Sequence, residues 1–563
     1  MPKHGKAAAF WYRAAMRRLD MPFRHFERQD WLLLAILAVA LWVRLASIGF
    51  GLPALNDPDE LMFEMGALRM LRGPTLNPGW FGHPATTTIY LLAMINAGAF
   101  AVAWLGGWAA SAREFAELVY ADPSWMILPG RIVMTLFALV SIRLTAQLAR
   151  WFFGPMAGLV AAALLALNPV HVTYSQIIRS DMMACVFMLL CLRASIAIAE
   201  RGSWRDYWTA AFWLGVAIAT KWPFALSGLA IAAATLMAAR DGVLDRRCAA
   251  LRLAVAGIAA IGFLLLVSPY LLLDYPTVLR NLRGEGQAHH LGATGGGFAW
   301  NLWWYVRGPI LAGFGPVSPA FLLVGAFRLR RHRLALAILV PVAVGFTLLL
   351  CIQQLVWERW ALLLMPLGAI VAAAGLTRMA EWLRARGGRQ ADLWLTPTVL
   401  ALALVPPALR VHADATMRLH DTRQIASAWA RSHVPPGSTV LVEHFAFDLL
   451  DQPWRFLFPM GDAGCVDVRA FLHGKLGYAT IEHARRARSN IDYGTVDPAL
   501  RATCHADFMI STQLERYARE RGGFPVEYAA YRSLAASGRV VAVFTPQAGR
   551  TGGPAVTILD LRR

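Results

Sequence analysis

The sequence predicts a polytopic all-α membrane protein carrying a C-terminal α/β domain, and three observations predict it. First, the 563 residues are 57% hydrophobic and only 16% charged, against roughly 25% charged in a soluble domain. Second, apolar stretches of about 20 residues, the length needed to cross a bilayer, recur along the chain. Third, that pattern stops near residue 410 and gives way to mixed charged stretches and short apolar runs. The net charge of +19 lies mostly in short loops between apolar segments. It therefore reads as a topology signal and not as a nucleic-acid footprint.

Taken in order, residues 1–30 hold Arg17, Arg18, Arg24 and Arg28 but no early apolar core or cleavage site. They read as a retained basic cytoplasmic segment. Candidate spans follow at about 31–50, 127–149, 155–173, 182–199, 208–221, 223–239, 253–272, 306–327, 334–352, 360–378 and 393–409. The segment 84–106 is also apolar enough to span. The basic clusters decide its placement: Arg143 and Arg150; Arg193, Arg201 and Arg205; Arg240, Arg246, Arg247 and Arg252; Arg328, Arg330, Arg331 and Arg333; and Arg378, Arg384, Arg386 and Arg389. All fall on the inside with the N-terminus only if 84–106 does not cross completely, so it is expected to be a juxtamembrane or re-entrant helix. The chain thus divides into the basic segment 1–30, a transmembrane domain 31–410 with a first outer loop 51–126, and an exported α/β domain 411–563. In that domain Asp421–Arg431 reads as a helix, Pro435-Pro436-Gly437 as a turn, and Thr439–Val442 and Val540–Phe544 as strands.

This topology gathers distant polar residues on the outer face. Asp57-Pro58-Asp59-Glu60 opens a stretch with Leu61, Met65, Leu68 and Leu71 near helical spacing. Acidic residues in a first turn are ordinary caps, which explains one carboxylate more comfortably than three. A carboxylate at a low-dielectric boundary is suited to accept a proton from an incoming hydroxyl or amine. Asp59 and Glu60 are the candidates, and Asp57 caps or shapes the loop. His83-Pro84 begins the next apolar segment, either as an interfacial histidine or as part of the same site. Tyr174, Arg179 and Asp181 lie between two spans, and Lys221-Trp222-Pro223 at another hairpin. Arg179 and Asp181 can neutralise each other and Lys221 can snorkel. Charges at the ends of apolar helices nevertheless mark functional sites by default, and Lys221, Arg131 and Arg359 are suited to bind a lipid phosphate.

The glycine-rich stretch 281–297 reads as a mobile outer loop, and no phosphate-loop or dinucleotide fingerprint occurs. A membrane-delivered donor fits better than a cytoplasmic nucleotide sugar, with the loop able to gate its entry. Cys185, Cys191, Cys248 and Cys351 map to spans or the cytoplasmic side, and only Cys465 and Cys504 reach the exported domain, where pairing is permitted. No metal-ligand spacing of Cys or His is present.

These residues resemble the GT-C class of polyprenyl-phosphate-sugar-dependent glycosyltransferases, and in particular the branch of protein O-mannosyltransferases and lipid A aminoarabinose transferase. The resemblance rests on Asp59-Glu60, His83-Pro84, Arg131 leading the second span, Tyr174 through Arg179 to Asp181, Ala219-Thr220-Lys221, and Glu358-Arg359-Trp360 with Pro366. It covers about residues 25–410. It implies a fold of about 11–13 transmembrane helices with outer juxtamembrane helices, in a bacterial cytoplasmic membrane, with the active site and C-terminal domain periplasmic. It also implies a polyprenyl-phosphate-linked sugar donor and an inverting transfer to a protein, lipid or glycan acceptor. Asp59 would activate the acceptor, Glu60 and Asp181 would position reactants, and Lys221, Arg131 and Arg359 would contact donor phosphate. His83, Tyr174 and Arg179 would complete the donor site. A divalent cation occurs in the wider class, and no metal is assigned here. Ala85-Thr86-Thr87 departs from the relatives, which carry a second proline there and a later lysine, so sugar and acceptor stay open. A lipid or glycolipid transporter with an exported domain is the alternative from another class, and an assembly protein is a further one. No internal repeat supports transport.

Overall fold

The computed structural model describes residues 27–73, 75–286, 288–443, 446–472 and 491–562. The basic residues Arg17, Arg18 and Arg24 lie outside this range, as does the side chain of Arg389. Among the described residues, eight helices are long and apolar enough to cross a membrane, or up to ten if two bent pairs each count as one span. The expected span 155–173 is one such pair, Pro155–Ala166 and Pro169–Ser175, bent by 62°. Asn168 caps the second helix and Pro169 occupies its first turn, a pairing that restarts a helix and does not continue one. The expected span 306–327 is the other, Phe298–Phe314 and Ser318–Leu329, bent by 95° where Gly315 takes a left-handed φ of 80°.

The first helix, Arg28–Leu45, carries Arg28, Asp30 and Arg44, and it packs against Ser124–Phe153 and Pro155–Ala166. Arg44 is fully buried. It donates to the carbonyls of Ala40 and Ala166, both at 3.0 Å, and to His171 Nδ1 at 2.8 Å. Its charge is thus met by backbone dipoles and a neutral ring, as a buried cation requires.

The bundle has two chemically different ends. At one, Arg328 donates to Thr377 and Glu381 and Arg333 to Asp241. At the other lie the acidic cluster, Asp181 and Lys221. The helix Thr86–Leu105 is long and apolar enough to cross, yet both of its ends meet the acidic end of the bundle. Thr86 and Thr87 bond Ser268 and Thr220, each at 2.6 Å. Further along, Ala99 and Ala103 pack with Phe115 and Trp125, at the start of the span Ser124–Phe153. These contacts tie it to the helices that carry the acidic cluster and to the start of the next span. The last two spans, Glu358–Arg386 and Trp394–Leu419, begin and finish at the same end, since Tyr174 holds Glu358 and Gln176 holds Arg418.

The C-terminal domain is built on a six-stranded sheet of order β3-β2-β1-β4-β6-β5. The strands are β1 (Thr439–Val442), β2 (Arg455–Pro459), β3 (Cys465–Asp467), β4 (Phe508–Ser511), β5 (Arg539–Phe544) and β6 (Val556–Asp560). β1 pairs in parallel with β2 and β4, and the outer strands run antiparallel. The central strands bury both faces: Val440, Phe456 and Ile510 on one, Leu441, Leu457 and Met509 on the other. That double burial explains their uninterrupted apolar runs. The predicted helix is Thr422–His433, capped by Asp421. Cys465 and Cys504 form a disulfide.

The stretch expected to be a mobile loop is held at both ends. Tyr275–Glu285 is a helix. Beyond it, Ala293 and Gly295 pair with the backbone of Val356 and Gln354 at 2.8 and 2.7 Å, and Leu291 is buried in the core of the C-terminal domain. Glycine there permits the close backbone approach that the pairing needs.

Two spans meet with no room for side chains. A Cβ on Gly375 would lie 2.0 Å from the Phe321 carbonyl oxygen, and one on Gly325 would lie 1.9 Å from that of Val371. Small residues at such crossings let helix backbones touch within the membrane. Gly375→Val should therefore cost at least about 1–3 kcal/mol by overpacking, read as a lower apparent Tm of the purified protein. An unchanged Tm would contradict this packing.

Candidate active site

Helix Pro58–Arg72 presents the acidic cluster because its start is strongly specified. Asp57 accepts from the Asp59 amide at 3.1 Å, and Pro58 fills the first turn. Successive helical residues point about 100° apart, so Asp59 and Glu60 face different surroundings. Glu60 turns inward and is fully buried. Arg131 meets it as a two-pronged pair at 2.8 and 2.6 Å, and the Ile178 amide adds a third bond at 3.0 Å. The two Arg131 Nη1 hydrogens reach the carbonyls of Ile48 and Phe50 at 2.7 and 2.9 Å. Every nitrogen of Arg131 and both oxygens of Glu60 thus have a partner, closed off from the surface.

Asp59 faces the open side, with one third of its side chain exposed. Arg179 binds Asp59 through one nitrogen and Asp57 through another, the latter at 3.0 and 3.1 Å. Arg359 reaches Asp59 at 3.2 Å and lies over the Trp357 ring at 4.6 Å. Tyr174 donates to the neighbouring Glu358 at 3.2 Å. Lys221 and Asp181 form a buried pair at 2.5 Å. His83 is brought beside them by backbone pairing: Pro84 bridges Lys221, and the Trp222 amide donates to the His83 carbonyl at 2.9 Å. The structure therefore gathers His83, Tyr174, Arg179, Asp181, Lys221 and Arg359 around Asp59, and places Glu60 and Arg131 directly behind it.

Burial, reinforced by the nearby Lys221 ammonium, holds the His83 ring well below the usual histidine range and hence neutral at pH 7. Burial alone would raise Asp57, but the Arg179 guanidinium overrides it and holds the carboxyl below its ordinary value. Three buried nitrogens of the site, Arg179 Nε, Arg359 Nε and His83 Nδ1, have no hydrogen-bond partner among the described residues. Unpaired buried polar atoms are costly, and two guanidinium donors beside a ring nitrogen whose role depends on the tautomer mark a place arranged for a polar ligand. Among the described residues, no group of three His, Cys, Asp or Glu side chains is arranged to hold a metal ion.

Several neighbours carry no sequence signal of their own. Glu285, at the end of its helix, approaches Gly82, and His290 packs edge-on against Trp357 at 4.9 Å. Arg418 lies 4.0 Å from the Phe50 ring, while Arg131 lies 3.9 Å from the same ring. One turn beyond Glu60, the buried Glu64 accepts from Asn96 at 2.6 Å. Burial pushes its carboxyl up to about 8, the Asn96 bond opposing and the Glu60 charge assisting. Only the helical spacing of Glu60 and Glu64 hinted at that second carboxyl.

The family model for dolichyl-phosphate-mannose-protein mannosyltransferase matches residues 115–272, which include Arg131, Tyr174, Arg179, Asp181 and Lys221. The apo structure of ArnT from Cupriavidus metallidurans aligns with a TM-score of 0.50 at 15% identity, covering 94% of this chain and 97% of that one. The archaeal oligosaccharyltransferase AglB from Archaeoglobus fulgidus, in complex with an inhibitory peptide and a dolichol-phosphate, aligns with a TM-score of 0.50 at 12% identity, covering 91% of this chain and 72% of that one. No curated protein matches the chain. The chain thus shares the fold of the ArnT and AglB structures, and its residues 115–272 resemble the mannosyltransferase family.

Two outcomes follow from the buried carboxylates. Glu60→Gln leaves the Arg131 charge buried and underpaired, and should cost about 3–5 kcal/mol, lowering the apparent Tm while Asp59→Asn leaves it near wild type. Equal Tm values for the two variants would contradict the assignment. Glu64 is raised in the folded state from an ordinary 4.5 to about 8. Its contribution to stability is thus complete below about pH 4.5 and lost as pH rises toward 8. Glu64→Gln should remove that part of the decline, so its Tm advantage over wild type grows from about pH 5 to 9. A constant difference across that range would refute a protonated Glu64.

Proposed function

We propose that this protein is a membrane glycosyltransferase that moves a sugar from a polyprenyl-phosphate carrier to an acceptor at the acidic end of the bundle. The observation that carries the reading is the exposed Asp59 carboxylate, surrounded by Arg179, Arg359, Lys221 and a neutral His83, with three buried nitrogens unpartnered. A phosphate ester supplies the acceptor oxygens that the Arg179 and Arg359 Nε–H groups lack.

In this reading the acceptor O–H or N–H gives its proton to Asp59 as its lone pair forms the bond to the anomeric carbon. The bond between that carbon and the phosphate oxygen breaks, and the electron pair leaves with the polyprenyl phosphate. Lys221 and Arg359 stabilise the charge developing there. Attack opposite the phosphate inverts the anomeric centre. Asp181 holds Lys221 in place, Arg179 orients Asp59, His83 and Tyr174 border the donor, and Glu60 with Arg131 fix the helix that presents Asp59. The arginine-rich loops put the opposite end of the bundle in the cytoplasm, so the transfer face and the C-terminal domain 411–563 are periplasmic. The basic segment 1–30 and the transmembrane domain 31–410 complete this organisation. The acceptor is a protein, lipid or glycan.

Asp59→Asn should lower sugar transfer from purified polyprenyl-phosphate donors at least about 100-fold, the usual scale for losing a general base, while the variant stays folded and still binds donor. Full retained transfer would remove Asp59 from this role.

A further inference from the structure

The C-terminal domain touches the two segments that deliver Asp59 and Arg359. On one side, Asn56, directly before the Asp57 cap, and Gln424 exchange reciprocal amide hydrogen bonds, both at 3.0 Å. Arg423 donates to the Asn56 carbonyl at 2.9 Å, and Asp421 holds that guanidinium at 2.8 and 2.7 Å. Asn56 is buried, so these bonds replace water and fix its backbone. On the other side, Leu291 is inserted into the core of the C-terminal domain, with 3% of it exposed. Arg516 donates to the Leu291 carbonyl at 3.2 Å and Glu520 accepts from the Gly292 amide at 3.0 Å. The next residues pair with the backbone at 354–356, two residues before Glu358 and Arg359.

We propose that the C-terminal domain is a positioning element of the transfer site, with Gln424 and Leu291 fixing the separation of Asp59 and Arg359. The two side chains meet at 3.2 Å, and each is carried by a segment without a long helix behind it on the side that the domain covers. A bond network outside the membrane thus sets the geometry of groups at its boundary. Displacements of about 1 Å at such groups cost on the order of 100-fold in rate, so the clamp acts on turnover and not on donor affinity. The rate part of this inference rests on the role of Asp59 proposed above, whereas the mechanical part does not.

The test uses the full chain in lipid nanodiscs, with Gln424→Ala, Leu291→Ser, Asn56→Ala and the double variant of Asn56 and Gln424. Hydrogen exchange is followed at the Asp59 and Glu60 amides, and kcat and KM are measured with a polyprenyl-phosphate sugar. The clamp predicts exchange at those two amides faster by about tenfold, kcat lower by about tenfold and KM within about twofold, with the double variant no worse than either single one. Unchanged exchange and kcat in a folded Gln424→Ala would overturn it. So would faster exchange spread through the whole C-terminal domain with a fallen Tm, which is loss of the domain and not release of a clamp. If the wild-type protein transfers no sugar, the transferase reading fails, and the exchange result alone decides the clamp.

Discussion

The buried pairing of Glu60 with Arg131 is the interaction on which the other end-of-bundle contacts depend. Its five hydrogen bonds connect the carbonyls after the first helix, the start of helix Pro58–Arg72, the span Ser124–Phe153 and the Ile178 amide beside Arg179. The Phe50 ring extends the connection to Arg418 on the last span. Desolvating two charges largely cancels their attraction, so such a pair adds little net stability. It does make any other arrangement costly, because separation would strand a charge in the interior. The pair therefore fixes one geometry.

That geometry divides the acidic cluster by helix rotation. Glu60 is spent on structure, Asp57 on capping the helix and binding Arg179, and Asp59 alone keeps an exposed face. The cationic groups are divided similarly. Every Arg131 nitrogen has a partner, while Arg179 and Arg359 each retain an unpartnered Nε among the described residues. A site that leaves buried donors unpaired departs from ordinary polar satisfaction, and the surrounding saturated pairs hold it open.

Much of this was legible in the sequence. Arginine-rich loops separated one end of the bundle from the end that carries the acidic cluster, Asp181 and Lys221. The strands at Thr439–Val442 and Val540–Phe544 were visible as short apolar runs, and the helix from Asp421 as a helix-like stretch before the Pro435-Pro436-Gly437 turn. Legibility failed where depth or tertiary partners decide. Asp59 and Glu60 are adjacent and chemically similar, so only packing separates an exposed carboxylate from a buried one. Arg131 reads as a phosphate ligand until its partner is seen. The glycine-rich stretch suggests mobility because its restraints, Leu291 in a distant core and the backbone at 354–356, come from elsewhere in the chain. The bends at Asn168-Pro169 and Gly315 were written in local residues but hidden by continuous hydrophobicity. Arg44 gave no sign that its charge is internal.

The central claim is that the groups around Asp59 form a seat for a lipid phosphate at the membrane boundary. A cryo-electron microscopy structure of the protein with a polyprenyl phosphate tests it most directly. Phosphate density is expected within hydrogen-bonding distance of Lys221 and Arg359, beside Asp59, with Glu60 and Arg131 still paired. Phosphate bound away from these residues, or reached by Arg131 after separation from Glu60, would contradict it.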